Sequence, residues 1–191
     1  MQYVSWDKEY SCLKDNQFFE SNEYQLLPIR YQDRYDIMKW RNEQMYHLRQ
    51  SEPLTKEKQD WYFDNVVAQL FDQERPDQVL FSFLEKGVCI GYGGLVHINW
   101  LDQNAEVSFL MNTELKQGIS EDIWTSFLEL IEKVGFEVLS LHKIYTYAYD
   151  LRPKLYPILE DSGFEEEARL KNHILFEENY KDVVIHSKIK P

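Results

Sequence analysis

Apolar and polar positions along this chain follow two different periods, and the switches between them outline a mixed α/β architecture. Residues 24–30 read as a strand. After Asp33, which suits a helix N-cap, Tyr35, Ile37, Met38, Trp40 and Arg41 follow a helical period to about Asn42. Pro53 and Thr55 open a second helix, in which Tyr62, Val66 and Leu70 form one row and Phe63, Val67 and Phe71 the next. Period-two alternation takes over at 79–85, Lys86-Gly87 supplies a turn, and a longer strand runs over 88–100. Asp102-Gln103-Asn104 turns the chain into 105–111, where Glu106, Ser108 and Leu110 face one way and Val107, Phe109 and Met111 the other.

Ile123, Trp124, Phe127, Leu128, Ile131 and Val134 then define an amphipathic helix, and 142–149 is strand again. A strand, a helix and a strand in succession predict a parallel pair with a right-handed crossover. A short helix at 155–161 stops at Ser162-Gly163-Phe164 with Gly163 as C-cap, and strands at 168–176 and 182–189 close the chain. The order β-α-α-β-β-β-α-β-α-β-β predicts an α/β (α+β) fold. Its sheet would be mixed but mostly antiparallel, with six to seven strands, a parallel central β-α-β unit and helices on both faces. Residues 1–22 hold Tyr3, Trp6, Tyr10, Phe18 and Phe19 without a clear period, so they read as an N-terminal extension packed on a single domain at 23–191.

A chain of 191 residues, 43% hydrophobic and 15% aromatic, has the composition of one well-packed domain. Its formal charge of −12 argues against a general nucleic-acid binder, which needs a basic face. That charge suits a cationic ligand, and it equally suits mere solubility. Cys12 and Cys89 form no CxxC, and the five histidines share no ligand spacing, so neither a disulfide framework nor a bound metal is expected. The N-terminus lacks a basic region followed by an apolar run, and nothing approaches the roughly 20 apolar residues of a membrane helix. The expectation is a cytoplasmic protein with no membrane partner.

Among groups that carry chemistry, Glu106 stands out on a central strand amid apolar neighbours, a setting that makes a carboxylate a better proton acceptor at neutral pH. A structural acid paired with an arginine is the competing reading, and both stay open. Gly91-Tyr92-Gly93-Gly94 is no dinucleotide fingerprint, because no third glycine follows and the run continues as strand.

Three local features, in this order over roughly residues 24–189, resemble the GNAT acetyltransferase superfamily: Ile90-Gly91-Tyr92-Gly93-Gly94-Leu95, the acid-bearing Ala105-Glu106-Val107, and Gly163-Phe164 after the last short helix. The resemblance implies an acetyl-CoA-dependent N-acetyltransferase with no metal. Pantetheine would lie in a gap between two central strands against Phe109, Leu110 and Met111, and a backbone N–H near Leu110 would face the oxyanion. The pyrophosphate would sit on the loop Leu115-Lys116-Gln117-Gly118-Ile119-Ser120, through Gln117, Gly118, Ile119 and Ser120. Leu115 departs from the polar residue usual there.

The same resemblance makes Glu106 the base, acting through a water, and asks for a tyrosine to protonate the thiolate. Leu159 occupies the usual tyrosine position, which leaves Tyr156, one turn earlier, as the expected acid. Trp40-Arg41-Asn42 resembles a feature of members that acetylate nucleotide-linked amino sugars, so Arg41 and Asn42, joined by His97 and Trp100, are expected at the acceptor site. The acceptor is then a small primary amine, a nucleotide-linked amino sugar ahead of polyamines, aminoglycosides or a protein N-terminus. Leu115 and Leu159 motivate the alternative, a non-catalytic acyl-CoA-binding or interaction module. Assembly as a homodimer is compatible with either.

Overall fold

The computed structural model describes residues 8–115 and 120–191. Tyr10 is fully buried: its ring stacks on Phe71 with centroids 4.4 Å apart, and its hydroxyl donates to the Leu80 carbonyl while accepting the Leu80 N–H. β1 (Phe19–Ser21) pairs antiparallel with β2 (Tyr24–Pro28), so part of the expected extension forms an edge of the sheet. α1 (Arg34–Glu43) follows. Asp33 holds its N-cap position without capping it, because the carboxylate instead accepts the Arg30 fork at 2.7 and 2.9 Å and the Ser82 hydroxyl at 2.6 Å. α2 (Lys56–Tyr62) is capped by Thr55, whose hydroxyl oxygen accepts the Lys58 N–H, and passes through a π turn at Phe63–Val67 into α3 (Ala68–Leu70).

β3 (Val79–Glu85) and β4 (Val88–Asn99) form a hairpin whose turn residues, Lys86 (φ 49°) and Gly87 (φ 83°), both lie in the left-handed region that a tight two-residue connection requires. β5 (Asn104–Met111), α4 (Glu121–Glu132) with a terminal π turn at Lys133–Val138, and β6 (Lys143–Tyr149) make the predicted β-α-β unit. α5 (Leu155–Asp161) ends as expected at Gly163, with φ 82° and the Phe164 N–H donating back to the Leu159 carbonyl at 2.9 Å. β7 (Glu165–Phe176) and β8 (Asn179–Ile189) complete the chain.

The strands form one sheet in the order β1-β2-β3-β4-β5-β6-β8-β7, eight strands rather than six to seven because β1 comes from the N-terminal segment. Every pairing is antiparallel except β5 with β6. α4 covers one face, where Phe127 stacks on Phe109 at 3.9 Å and meets Phe83 edge-on at 5.6 Å. α1 and α2 cover the other, over Leu80, Tyr92 and Ser108. β4 and β5 lie close because β4 carries glycines there: a Cβ on Gly93 would come within 2.2 Å of the Ser108 carbonyl oxygen.

Candidate active site

β5 and β6 pair only over Asn104–Glu106 and Lys143–Tyr145. Beyond Glu106 the strands fork, β5 staying on β4 as far as Met111 and β6 staying on β8 as far as Tyr149. The fork leaves one edge of β5 unpaired inside the sheet. In a strand, the N–H and C=O of one residue point to the same edge and those of the next residue to the other. Because the Asn112 N–H donates to the Ile90 carbonyl at 2.7 Å, the groups of Ser108 and Leu110 turn to β4, and those of Val107, Phe109 and Met111 turn to the gap. The Leu110 carbonyl oxygen accordingly lies 2.8 Å from where a Cβ on Gly91 would be. Phe109 and Met111 thus turn their backbone groups to the gap, whereas Leu110 turns its own to β4. The Met111 carbonyl also accepts the Gln44 amide at 2.9 Å.

Glu106 stands at the apex of the fork and is only 9% exposed. Arg49 Nη2 donates to its Oε1 at 2.5 Å, and His97 Nε2 lies 3.9 Å from Oε2, beyond hydrogen-bond length. The Arg49 guanidinium rests over the Tyr147 ring, 4.6 Å from its centroid. Arg49 belongs to the irregular stretch after α1, where no periodicity or motif marks it.

Two chambers open from the fork. A cavity of about 360 Å³ is lined by Glu106, Arg49, Arg41, His47, Tyr147 and Arg152, among others. A second, of about 520 Å³, runs to the end of β5 at Asn112, Thr113 and Leu115 and carries Lys154. Phe109, Trp124 and Arg152 line both. Arg152 lies over the Trp124 ring at 5.9 Å, and burial pushes its proton affinity down with no carboxylate among the described residues offsetting it. Burial, and then the Arg152 charge, push the His47 pKa down to about 3, so its imidazole is neutral at physiological pH.

The remaining expected residues divide. Arg41 lines the gap chamber, but its fork is engaged: Nη1 donates to the Tyr92 hydroxyl at 2.6 Å and Nε to Gln50 Oε1 at 3.0 Å. His97, at φ 52° in the irregular end of β4, has a mostly exposed side chain near Glu106. Asn42 is spent within the chain, donating to the Leu54 carbonyl at 2.9 Å and accepting the Leu54 N–H at 2.7 Å, so it pins the loop before α2 rather than facing a substrate. Trp100 donates to the Pro76 carbonyl at 2.7 Å and sits at the turn beside the closed end of the fork, away from both chambers.

Tyr156 also turns elsewhere. Its hydroxyl donates to Asp150 at 2.6 Å, and its ring lies 5.0 Å from that of the buried His186 on β8. Burial and Asp150 push its pKa up. It lines neither chamber, whereas Tyr147 on β6 lines the gap. Ser120 occupies the N-cap position of α4 and its carbonyl accepts the Trp124 N–H at 3.0 Å, with no side-chain capping bond. Gln117, Gly118 and Ile119 lie outside the described residues. Among the described residues there is no cluster of groups able to hold a metal, and no helix is long and apolar enough to cross a membrane.

The sequence model described as the acetyltransferase (GNAT) domain matches residues 26–185. Among solved structures, spermidine N-acetyltransferase from Vibrio cholerae in complex with CoA and spermine superposes with a TM-score of 0.73 at 20% identity, covering 89% of this chain and 97% of that one. A dodecameric structure of spermidine N-acetyltransferase from the same organism, in an intermediate state, matches with a TM-score of 0.69 at 19% identity over 89% of this chain and 95% of its own.

Proposed function

The chain belongs to the GNAT acetyltransferase family, whose acyl donor is acetyl-CoA, and from that premise we propose that it transfers acetyl to the primary amine of a small molecule at the fork between β5 and β6. The observation that carries this reading is the coincidence of an unpaired β5 edge with a buried carboxylate, Glu106, at the apex of the gap. The chambers fit the donor: a bare edge at Val107, Phe109 and Met111 can take an extended amide-bearing arm, and the outer chamber carries the cation Lys154 for phosphates. Acetyl-CoA supplies the activated acetyl group.

The chain supplies proton handling and position. Arg49 fixes Glu106 through Oε1, which leaves Oε2 to accept the acceptor's ammonium proton directly or through a water. The N–H groups of Phe109 and Met111 are the donors suited to an acyl oxygen that gains charge. Tyr147 replaces Tyr156 as the proton donor for the departing thiolate, because it lines the gap. A small amine without a nucleotide is favoured over a nucleotide-linked amino sugar, because Arg41, which pointed to a sugar-nucleotide phosphate, is held by Tyr92 and Gln50.

The test pairs binding with turnover. Acetyl-CoA near a millimolar should raise the melting temperature, and CoA thiol should appear when a panel of small amines is added. Glu106→Gln should keep the thermal shift and lower kcat by about 10²-fold or more. Unchanged turnover would remove Glu106 from the mechanism. Binding without thiol release from any amine would mean a non-catalytic module.

A further inference from the structure

The chain as a whole is strongly acidic, with a formal charge of −12, yet the gap chamber has the opposite character. Three arginines, Arg41, Arg49 and Arg152, line it against a single carboxylate, Glu106. Arg49 is neutralised by Glu106 at 2.5 Å. Arg41 is half-buried and its bonds go to neutral groups, Tyr92 and Gln50, so its charge is not offset. Arg152 has the Trp124 ring as its contact and faces no carboxylate among the described residues. Desolvating a guanidinium is costly, and a protein that keeps one in a cavity without an acid gains most from a ligand that supplies the anion.

Resting on the acetyltransferase reading above, we infer that the acceptor is an amine that also carries an anionic group, a carboxylate or a phosphate, and that Arg152 is the residue that binds it. The ammonium end would sit at Glu106 and the anionic end at Arg152, while Arg41 adds a favourable field. A polycation fits this chamber poorly, since every ammonium beyond the reacting one would meet arginine rather than carboxylate. Lys154 lines only the outer chamber and so is the better placed of the two cations for the donor's phosphates, which leaves Arg152, at the junction, for the acceptor.

Acceptors that differ only in their far end test this with the purified full chain and saturating acetyl-CoA. n-Butylamine, 4-aminobutyrate and 1,4-diaminobutane end in methyl, carboxylate and ammonium, and ethanolamine with O-phosphoethanolamine tests phosphate. The expected result is a kcat/KM at least about tenfold higher for 4-aminobutyrate or O-phosphoethanolamine than for its uncharged partner, with 1,4-diaminobutane the poorest of its series. Arg152→Gln should abolish that preference by raising the KM of the anionic amine, and Arg152→Lys should restore part of it. In parallel, the preferred anionic amine added with CoA should raise the melting temperature of the wild type and not of Arg152→Gln. Faster turnover of 1,4-diaminobutane or spermidine than of both anionic amines would overturn the inference and leave the acetyltransferase reading standing. An Arg152→Gln change confined to the KM of acetyl-CoA would overturn it too, by giving Arg152 to the donor. Absence of thiol release with every amine would instead defeat the acetyltransferase reading itself.

Discussion

Glu106 and Arg49 make the two readings of the carboxylate compatible, because an acid tied to an arginine through one oxygen still presents the other to the gap. Arg49 is about half exposed, so the pair contributes little to stability, up to about 1 kcal/mol. Glu106→Gln should therefore leave the denaturant midpoint close to wild type, and a large loss there would mark the pair as structural. Trp100→Phe should do the reverse. Losing the bond to the Pro76 carbonyl should cost about 1 kcal/mol, read by urea unfolding, with the kinetic constants of both substrates unchanged. The difference between these residues was only half legible. Glu106 announced itself by alternation on a central strand, but whether an Asn42 amide or a Trp100 indole faces solvent, ligand or its own chain depends on tertiary partners that no local pattern records. Arg49 was missed for the same reason, lying in a stretch without periodicity.

At the level of elements, the two-residue and 3.6-residue periods were strong enough to place β2 to β8 and the longer helices. β1 escaped because three residues are too few to show alternation, and the π turns within α2–α3 and after α4 escaped because an extra residue in one turn leaves the apolar count intact. The alternation along β5 identified side-chain faces correctly, but the edge to which each backbone group turns also depends on the register with β4, and that register turns the Leu110 backbone groups to β4. That register relies on glycine. Gly93→Ala would drive a methyl against the Ser108 carbonyl and within 2.8 Å of the Phe127 ring, so β4 and β5 must separate. A loss of about 1–3 kcal/mol is expected from chemical denaturation, together with weakened acetyl-CoA stabilisation, since the same shift moves the edge that borders the gap.

Over the whole molecule, net charge and local charge have opposite signs, and only the first can be read from composition. The arginines of the gap lie 111 positions apart in sequence at their extremes, Arg41 and Arg49 in one region and Arg152 in another, and the fold gathers them around one carboxylate. Burial beside this cluster, reinforced by the Arg152 charge, also leaves a pH signature. His47 is held at a folded pKa of about 3 against an ordinary 6.5, so between these values the unfolded chain binds more protons than the folded one. Stability from this group is complete above about pH 6.5 and is lost as the pH falls toward 3. His47→Gln should therefore remove on the order of 1–2 kcal/mol of the stability difference between about pH 7 and 5, measured by denaturation at both.

The bare edge of β5 carries a last consequence. Main-chain amides are spelled the same way by every residue except proline, so a guest that aligns with them reads almost nothing of the side-chain alphabet. Such a docking rail can survive while its letters drift, which accords with a shared fold at 20% identity. An alanine scan of Phe109 and Met111 would report the packing of their side chains rather than this rail, which would be exposed by replacing their amide linkages with esters that delete the donors and leave the side chains in place.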